Sequence, residues 1–239
     1  MKVAVLLVGQ MRTWETCLHT FKWHVARHFD HPLDFYISTV DDDQAEAAKL
    51  TDKHFPGSLV RIDVKTQPTI QEPHEPVRFE PYARSVPVQG VLRQLWQLNE
   101  AWKFFLNNDG REYDIVIRSR PDLFFHSFQM PDKRMSQYAA YTPWWGRFGG
   151  VNDRFAVLGW SAARAYFETF ANMDDLLSKG CPLHPESLVA ASMWDYGCTV
   201  HTNLKAEFST LRMNGEMRQP EIGPIDLAHA GMRVLTPLP

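Results

Sequence analysis

The chain has 239 residues, 44% of them hydrophobic, with 8 Trp and 15 Phe, enough to bury a sizeable core without staples, most naturally as one large α/β domain. Charged residues are 22% and the net charge is -3, which excludes a strongly acidic disordered chain and a global nucleic-acid-binding field. Cys17, Cys181 and Cys198 are odd in number and lack CxxC spacing, which excludes a disulfide framework and a thiolate zinc site and points to a reducing, cytoplasmic setting.

In chain order, residues 3–8 are a continuous apolar run closed by Gly9, the pattern of a strand buried on both faces of a parallel sheet. The run is shorter than the roughly 7 to 15 residues of a signal-peptide core, and no later stretch reaches the roughly 18 apolar residues of a membrane span. Residues 13–29 carry Trp14, Cys17, Leu18, Phe21, Val25 and Phe29 at helical spacing, with Thr13 as the predicted N-cap. Residues 33–40 read as a second strand, Asp41-Asp42-Asp43-Gln44 as the start of a second helix that ends before Pro56-Gly57, and 59–64 as a third strand. Five prolines, at 68, 73, 76, 81 and 87, exclude regular structure from residues 66–88 and predict a long functional loop or lid.

Residues 89–107 form a strong amphipathic helix, and 113–118 an apolar strand that stops at Ser119-Arg120-Pro121-Asp122, because proline cannot continue a central ladder. Residues 123–128 extend or form a hairpin, Gly149-Gly150 breaks the chain, and 155–158 is a short strand. A helix follows over 161–173, another over 185–196 with Pro185 in its first turn, and a last strand over 199–204. Alternating strands and helices predict a single domain with a mostly parallel central sheet flanked by helices, and a more irregular second half.

Ligands of open α/β sheets bind beyond the carboxyl ends of the strands, so the polar residues that close apolar strands are the first candidates. In Arg118-Ser119-Arg120-Pro121-Asp122 the guanidinium forks match phosphate oxygens, and Asp122 is a hard ligand for Mg or Mn. The same residues also suit an ion pair that stabilises the turn. Asp41 offers a ribose-hydroxyl contact or, with Gln44, a capping box. Trp144, Trp145, Asn152, Asp153 and Arg154, around Gly149-Gly150, combine aromatic faces and polar groups suited to a sugar acceptor, with core packing the alternative for the tryptophans.

The strand Tyr-Asp-Ile-Val-Ile-Arg-Ser-Arg-Pro-Asp-Leu resembles the metal-site strand of GT-A-fold glycosyltransferases, with Arg120-Pro121-Asp122 standing where those enzymes usually carry Asp-X-Asp. The resemblance covers residues 1–200 in element order. It implies a GT-A-like fold with a nucleotide-sugar-binding half (1–125) and an acceptor-side half (126–239). It further implies donor contacts from Gly9, Gln10, Arg12, Asp41, Arg118 and Arg120, metal ligation by Asp122 and His229, and acid-base catalysis by Glu186 or Asp153. Arg12 also suits a surface turn, and Glu186 an ordinary first helical turn.

The implied reaction is metal-assisted transfer of a sugar, from a uridine diphosphate donor before others, to a hydroxyl of a glycan, lipid-linked or other acceptor. A non-catalytic carbohydrate- or nucleotide-binding module is the alternative class. A modified DNA base is the alternative acceptor, with Arg78, Arg84, Arg93, Arg147 and Arg154 lining a groove.

Overall fold

The computed structural model describes residues 1–42, 45–74, 76–78, 86–108, 113–131 and 134–218. The elements run β1 (Val3–Val8), α1 (Trp14–His24), β2 (Asp34–Val40), α2 (Leu50–His54), β3 (Val60–Lys65), α3 (Val88–Asn107), β4 (Ile115–Ser119), β5 (Leu123–Phe128), β6 (Ala139–Pro143) and β7 (Phe155–Leu158). They continue with α4 (Trp160–Phe167), α5 (Met173–Ser178), α6 (Pro185–Asp195), β8 (Thr199–Leu204), β9 (Ala206–Leu211) and β10 (Met217–Arg218).

A seven-stranded sheet has the order β3-β2-β1-β4-β7-β6-β8. Strands β3, β2, β1 and β4 are mutually parallel, β7 runs against both β4 and β6, and β8 is parallel to β6. Strands from both sides of residue 125 therefore pair in one sheet. The apolar run of β1 is buried on both faces because its alternate residues enter different cores. Ala4, Leu6 and Val8 pack with Leu95 and Trp102 of α3, Tyr166 and Phe167 of α4 and Leu188 of α6. Val3, Val5 and Leu7 pack with Trp14, Leu18 and Phe21 of α1 and with Phe125 and Phe208.

Phe125 and Phe208 belong to a second, three-stranded sheet, β10-β9-β5, that the sequence reading did not anticipate. β5 pairs antiparallel with β9, across a bulge between Phe125 and Ser127. This ribbon covers α1, so the predicted extension of residues 123–128 is a strand whose partner lies some eighty residues further on.

Several boundaries differ from expectation. The first helix ends at His24 and is followed by a 3₁₀ turn at Ala26–His28. Thr13 makes no side-chain cap bond; its hydroxyl donates to the Leu211 carbonyl at 3.4 Å. The second predicted helix is a 3₁₀ turn, Ala45–Lys49, running into the short α2. The expected Asp41/Gln44 capping box lies partly outside the described residues. The predicted helix over 161–173 is α4, a 3₁₀ turn at Glu168–Phe170 and then α5. The described part of the proline-rich stretch 66–88 holds no helix or strand before Val88, where α3 begins one residue earlier than expected. All three cysteines are buried free thiols, and burial pushes Cys17 and Cys181 up to about 12 and Cys198 to about 11. No described helix is long and apolar enough to cross a membrane.

Candidate functional site

The chain leaves β1 for β2 and β3 on one side and returns to β4 on the other, so the carboxyl ends of β1 and β4 meet at the point where strand order reverses. Gly9 closes β1 with φ +140°, a backbone that side chains rarely adopt, and its missing Cβ leaves room for the Pro121 ring, whose Cδ would lie 3.1 Å away. Pro121 in turn ends β4, having no N–H for the ladder. These two residues bring the strand ends together around a cleft of about 240 Å³.

The cleft is lined by Gly9, Gln10, Arg12, Arg118, Arg120 and Asp122, as the strand-end argument requires. Gln67 and three residues of α3, Gly90, Gln94 and Gln97, also line it, with Arg212 and Met213 from the turn after β9. The Leu211 N–H donates to the Asp122 carbonyl at 2.9 Å, and this bond fastens the β9 turn to the β4 turn and delivers Arg212. Sequence reasoning missed Arg212, for which no local signal exists. Gln94 and Gln97 carried a weak one, as polar residues among the inward positions of an apolar helix face.

Among the described residues, four arginines and a single carboxylate thus line the cleft. Arg118 is 2% exposed; it donates to the carbonyls of Val8 (3.1 Å) and Ser119, and its Nε has no hydrogen-bond partner among the described residues. Arg120 grips Asp122 with both arms of its fork, Nε to Oδ1 at 2.9 Å and Nη2 to Oδ2 at 2.5 Å. Burial opposes both charges, but each partner outweighs it for the other: Arg120 ends above the usual arginine value and Asp122 below the usual carboxylate value, with Arg212 adding to the latter effect. Asp122 therefore faces the cleft as expected but does not present an open carboxylate. Among the described residues no group of three His, Cys, Asp or Glu side chains could hold a metal, and the predicted ligand His229 lies outside them. Among the described residues the donor set is one carboxylate with both oxygens held by Arg120, which does not fit a divalent cation.

A second polar cluster lies behind Gln94, whose side-chain amide donates to Asp153. Gly150 makes it possible: a Cβ there would overlap the Glu186 carbonyl, which accepts the Val151 N–H at 3.1 Å, so the loop lies directly on the start of α6. Asp153 and Glu186 are 3% and 5% exposed. Burial, then the charge of Asp153, lifts Glu186 well above the usual carboxylate range, against the pull of Arg154 and Arg120. His184 lies with Nε2 3.2 Å from Glu186 Oε2 and Nδ1 3.0 Å from Ser187 Oγ, and burial lowers it to about 4. Burial therefore favours a neutral imidazole at His184 and the protonated form of the Glu186 carboxyl.

The other expected residues are dispersed. Asp41 is exposed at the end of β2 and does not line the cleft. Trp145 is buried core, not a sugar platform, with its indole N–H on the Ala206 carbonyl at 3.0 Å. Trp144 is 50% exposed and borders a separate cavity with Gln129, Lys205 and Glu207, at the opposite end of the β5–β9 ribbon. Asn152 is fully buried and holds its own loop, donating to the Trp145 carbonyl and accepting the Arg154 N–H. Arg154 Nε stands 4.0 Å from Asp153. Arg78 and Arg93 donate to the carbonyls of Val86 and Pro68, and neither they nor Arg147 or Arg154 line the cleft; Arg84 lies outside the described residues.

Fold and site together define an α/β domain with a basic cleft at the switch point of its sheet. Comparison with protein families matches residues 1–193 to the domain of unknown function DUF7796, and the chain belongs to that family. No curated protein matches it. Among solved structures it is similar to the galactosyltransferase LgtC in complex with donor and acceptor sugar analogs. That similarity is at 11% identity and TM-score 0.46, over 78% of this chain and 69% of that one.

Proposed function

We propose that this protein is a glycosyltransferase of GT-A-like fold that moves a sugar from a nucleoside diphosphate donor, a uridine diphosphate sugar before others, to a hydroxyl acceptor. The observation that carries this reading is the cleft between β1 and β4, where, among the described residues, Arg12, Arg118, Arg120 and Arg212 face a single carboxylate. Such a cleft favours a multiply charged anion of diphosphate size, and guanidinium groups match phosphate oxygens in pairs. The acceptor oxygen forms a bond to the anomeric carbon as the bond from that carbon to the diphosphate breaks. The nucleoside diphosphate departs as an anion, stabilised by arginines already in position. The hydroxyl proton passes to the Asp153/Glu186 pair behind Gln94, where burial raises the Glu186 pKa and so makes the pair a stronger proton acceptor.

The acceptor is a glycan, lipid-linked or other hydroxyl compound. Mn or Mg accompanies donors in enzymes of this fold, but the donor set around Asp122 does not fit one, and no step above runs through a metal. Release of nucleoside diphosphate from uridine diphosphate sugars, with and without a panel of hydroxyl acceptors, is the direct test. Turnover that falls about a hundredfold in Asp153→Asn supports the reading. Tight nucleotide binding with no donor cleavage under any condition would make the protein the non-catalytic module instead.

A further inference from the structure

The Arg120–Asp122 pair bears on how the cleft neutralises its ligand. A carboxylate that holds a divalent cation needs an oxygen turned toward it, and such cations take several oxygen ligands. Both oxygens of Asp122 are instead engaged by the guanidinium two residues away, at 2.9 and 2.5 Å. Positive charge is supplied from four separate points: Arg12 after β1, Arg118 and Arg120 at the end of β4, and Arg212 after β9. Arg118 gives the independent sign of a ligand. It is a cleft-lining guanidinium 2% exposed that donates to the Val8 and Ser119 carbonyls and makes no ion pair among the described residues, and a buried charge without a paired anion is costly unless one binds there.

We infer that this cleft binds the diphosphate of its ligand through arginine alone, with Asp122 serving as the brace that fixes the Arg120 fork. The inference rests on the nucleotide-sugar reading for the identity of the ligand, but not for the binding of diphosphate itself. It follows that affinity is independent of divalent cations, falls as ionic strength rises, and does not need the charge of Asp122. Asparagine at position 122 keeps an oxygen for the Arg120 Nε and removes a negative charge from the cleft, so it weakens anion binding little or not at all.

The test is calorimetric titration of inorganic pyrophosphate and of uridine diphosphate, each in EDTA and in Mn, on the wild type and on Arg12→Ala, Arg212→Ala and Asp122→Asn. Arg12 and Arg212 are exposed, so their removal spares the core. The expected result is an affinity equal within about twofold in EDTA and Mn, reduced about tenfold by either arginine substitution, and kept within about twofold by Asp122→Asn. Binding that requires Mn, or that collapses in Asp122→Asn while the protein stays folded, would overturn the inference and leave the nucleotide-sugar reading standing. Failure of pyrophosphate to bind in either buffer would overturn it as well. Metal-free pyrophosphate binding with no added affinity for uridine diphosphate would support the inference while removing the nucleotide.

Discussion

Arg120 and Asp122 stand two residues apart across a proline, and the turn that Pro121 imposes points both side chains into one cleft, where they find each other. Asp122→Ala removes the carboxylate and leaves a partly buried guanidinium unpaired, at a cost of about 2 kcal/mol in urea unfolding at neutral pH. The folded-state pKa of Asp122 is depressed. The pair's stabilisation is therefore present above the ordinary aspartate pKa and is lost as pH falls through the folded value, and the difference between wild type and Asp122→Ala shrinks in acid.

Glu186 has the opposite sign. Its raised pKa means that the folded protein keeps a proton the unfolded chain releases, so the associated stability is full below the ordinary glutamate value of 4.5 and is lost as pH rises toward the folded value. Glu186→Gln, which stays neutral, should raise the denaturation midpoint at pH 8 and leave it nearly unchanged at pH 4. A midpoint that drops equally at both values would show that the carboxyl acts by shape alone. His184, lowered from 6.5 to about 4, adds a loss of roughly 3 kcal/mol as pH falls through that window.

Among the elements, the loop between β6 and β7 is the most constrained. Gly146, Phe148 and Gly149 all have positive φ, Phe148 at 43° without being glycine, and Gly150 leaves no space for a Cβ against the Glu186 backbone. Gly150→Ala should cost about 3 kcal/mol and separate Asp153 from Glu186, seen as a fall in thermal midpoint together with loss of the Glu186-dependent pH response. The strands that carry the cleft were legible because their signals are local: an unbroken apolar run ended by Gly9, and another ended by Pro121. The β5–β9 ribbon was not, since β5 reads as a short strand whichever partner it takes and its partner is remote in sequence. Trp145 stayed open between core and sugar platform for a related reason, because an indole serves equally well as either, and its burial with the indole N–H on the Ala206 carbonyl at 3.0 Å places it in the core.

At the scale of the molecule, one sheet buried on both faces holds the strand ends rigidly, and the function is built from what projects beyond them. The sequence alone located Arg12, Arg118, Arg120 and Asp122 at this edge. It offered the Arg120–Asp122 ion pair as one of two readings of the turn, but did not disclose that Arg212 and Gln94 complete the walls, because that relation arises only when β9 and α3 fold against the turns. The measurement that tests the account most directly is a thermal-shift panel of nucleotides and nucleotide sugars on the wild-type protein in EDTA. A ligand at a hundred times its dissociation constant stabilises the native state by about 2.7 kcal/mol, about 5 to 10 °C for a domain of this size. Uridine diphosphate sugars should give the largest shift, and Arg212→Ala should reduce it. An unmoved midpoint with every nucleotide at millimolar concentration, in EDTA and in Mn alike, would contradict the assignment of this cleft to a nucleotide-sugar donor.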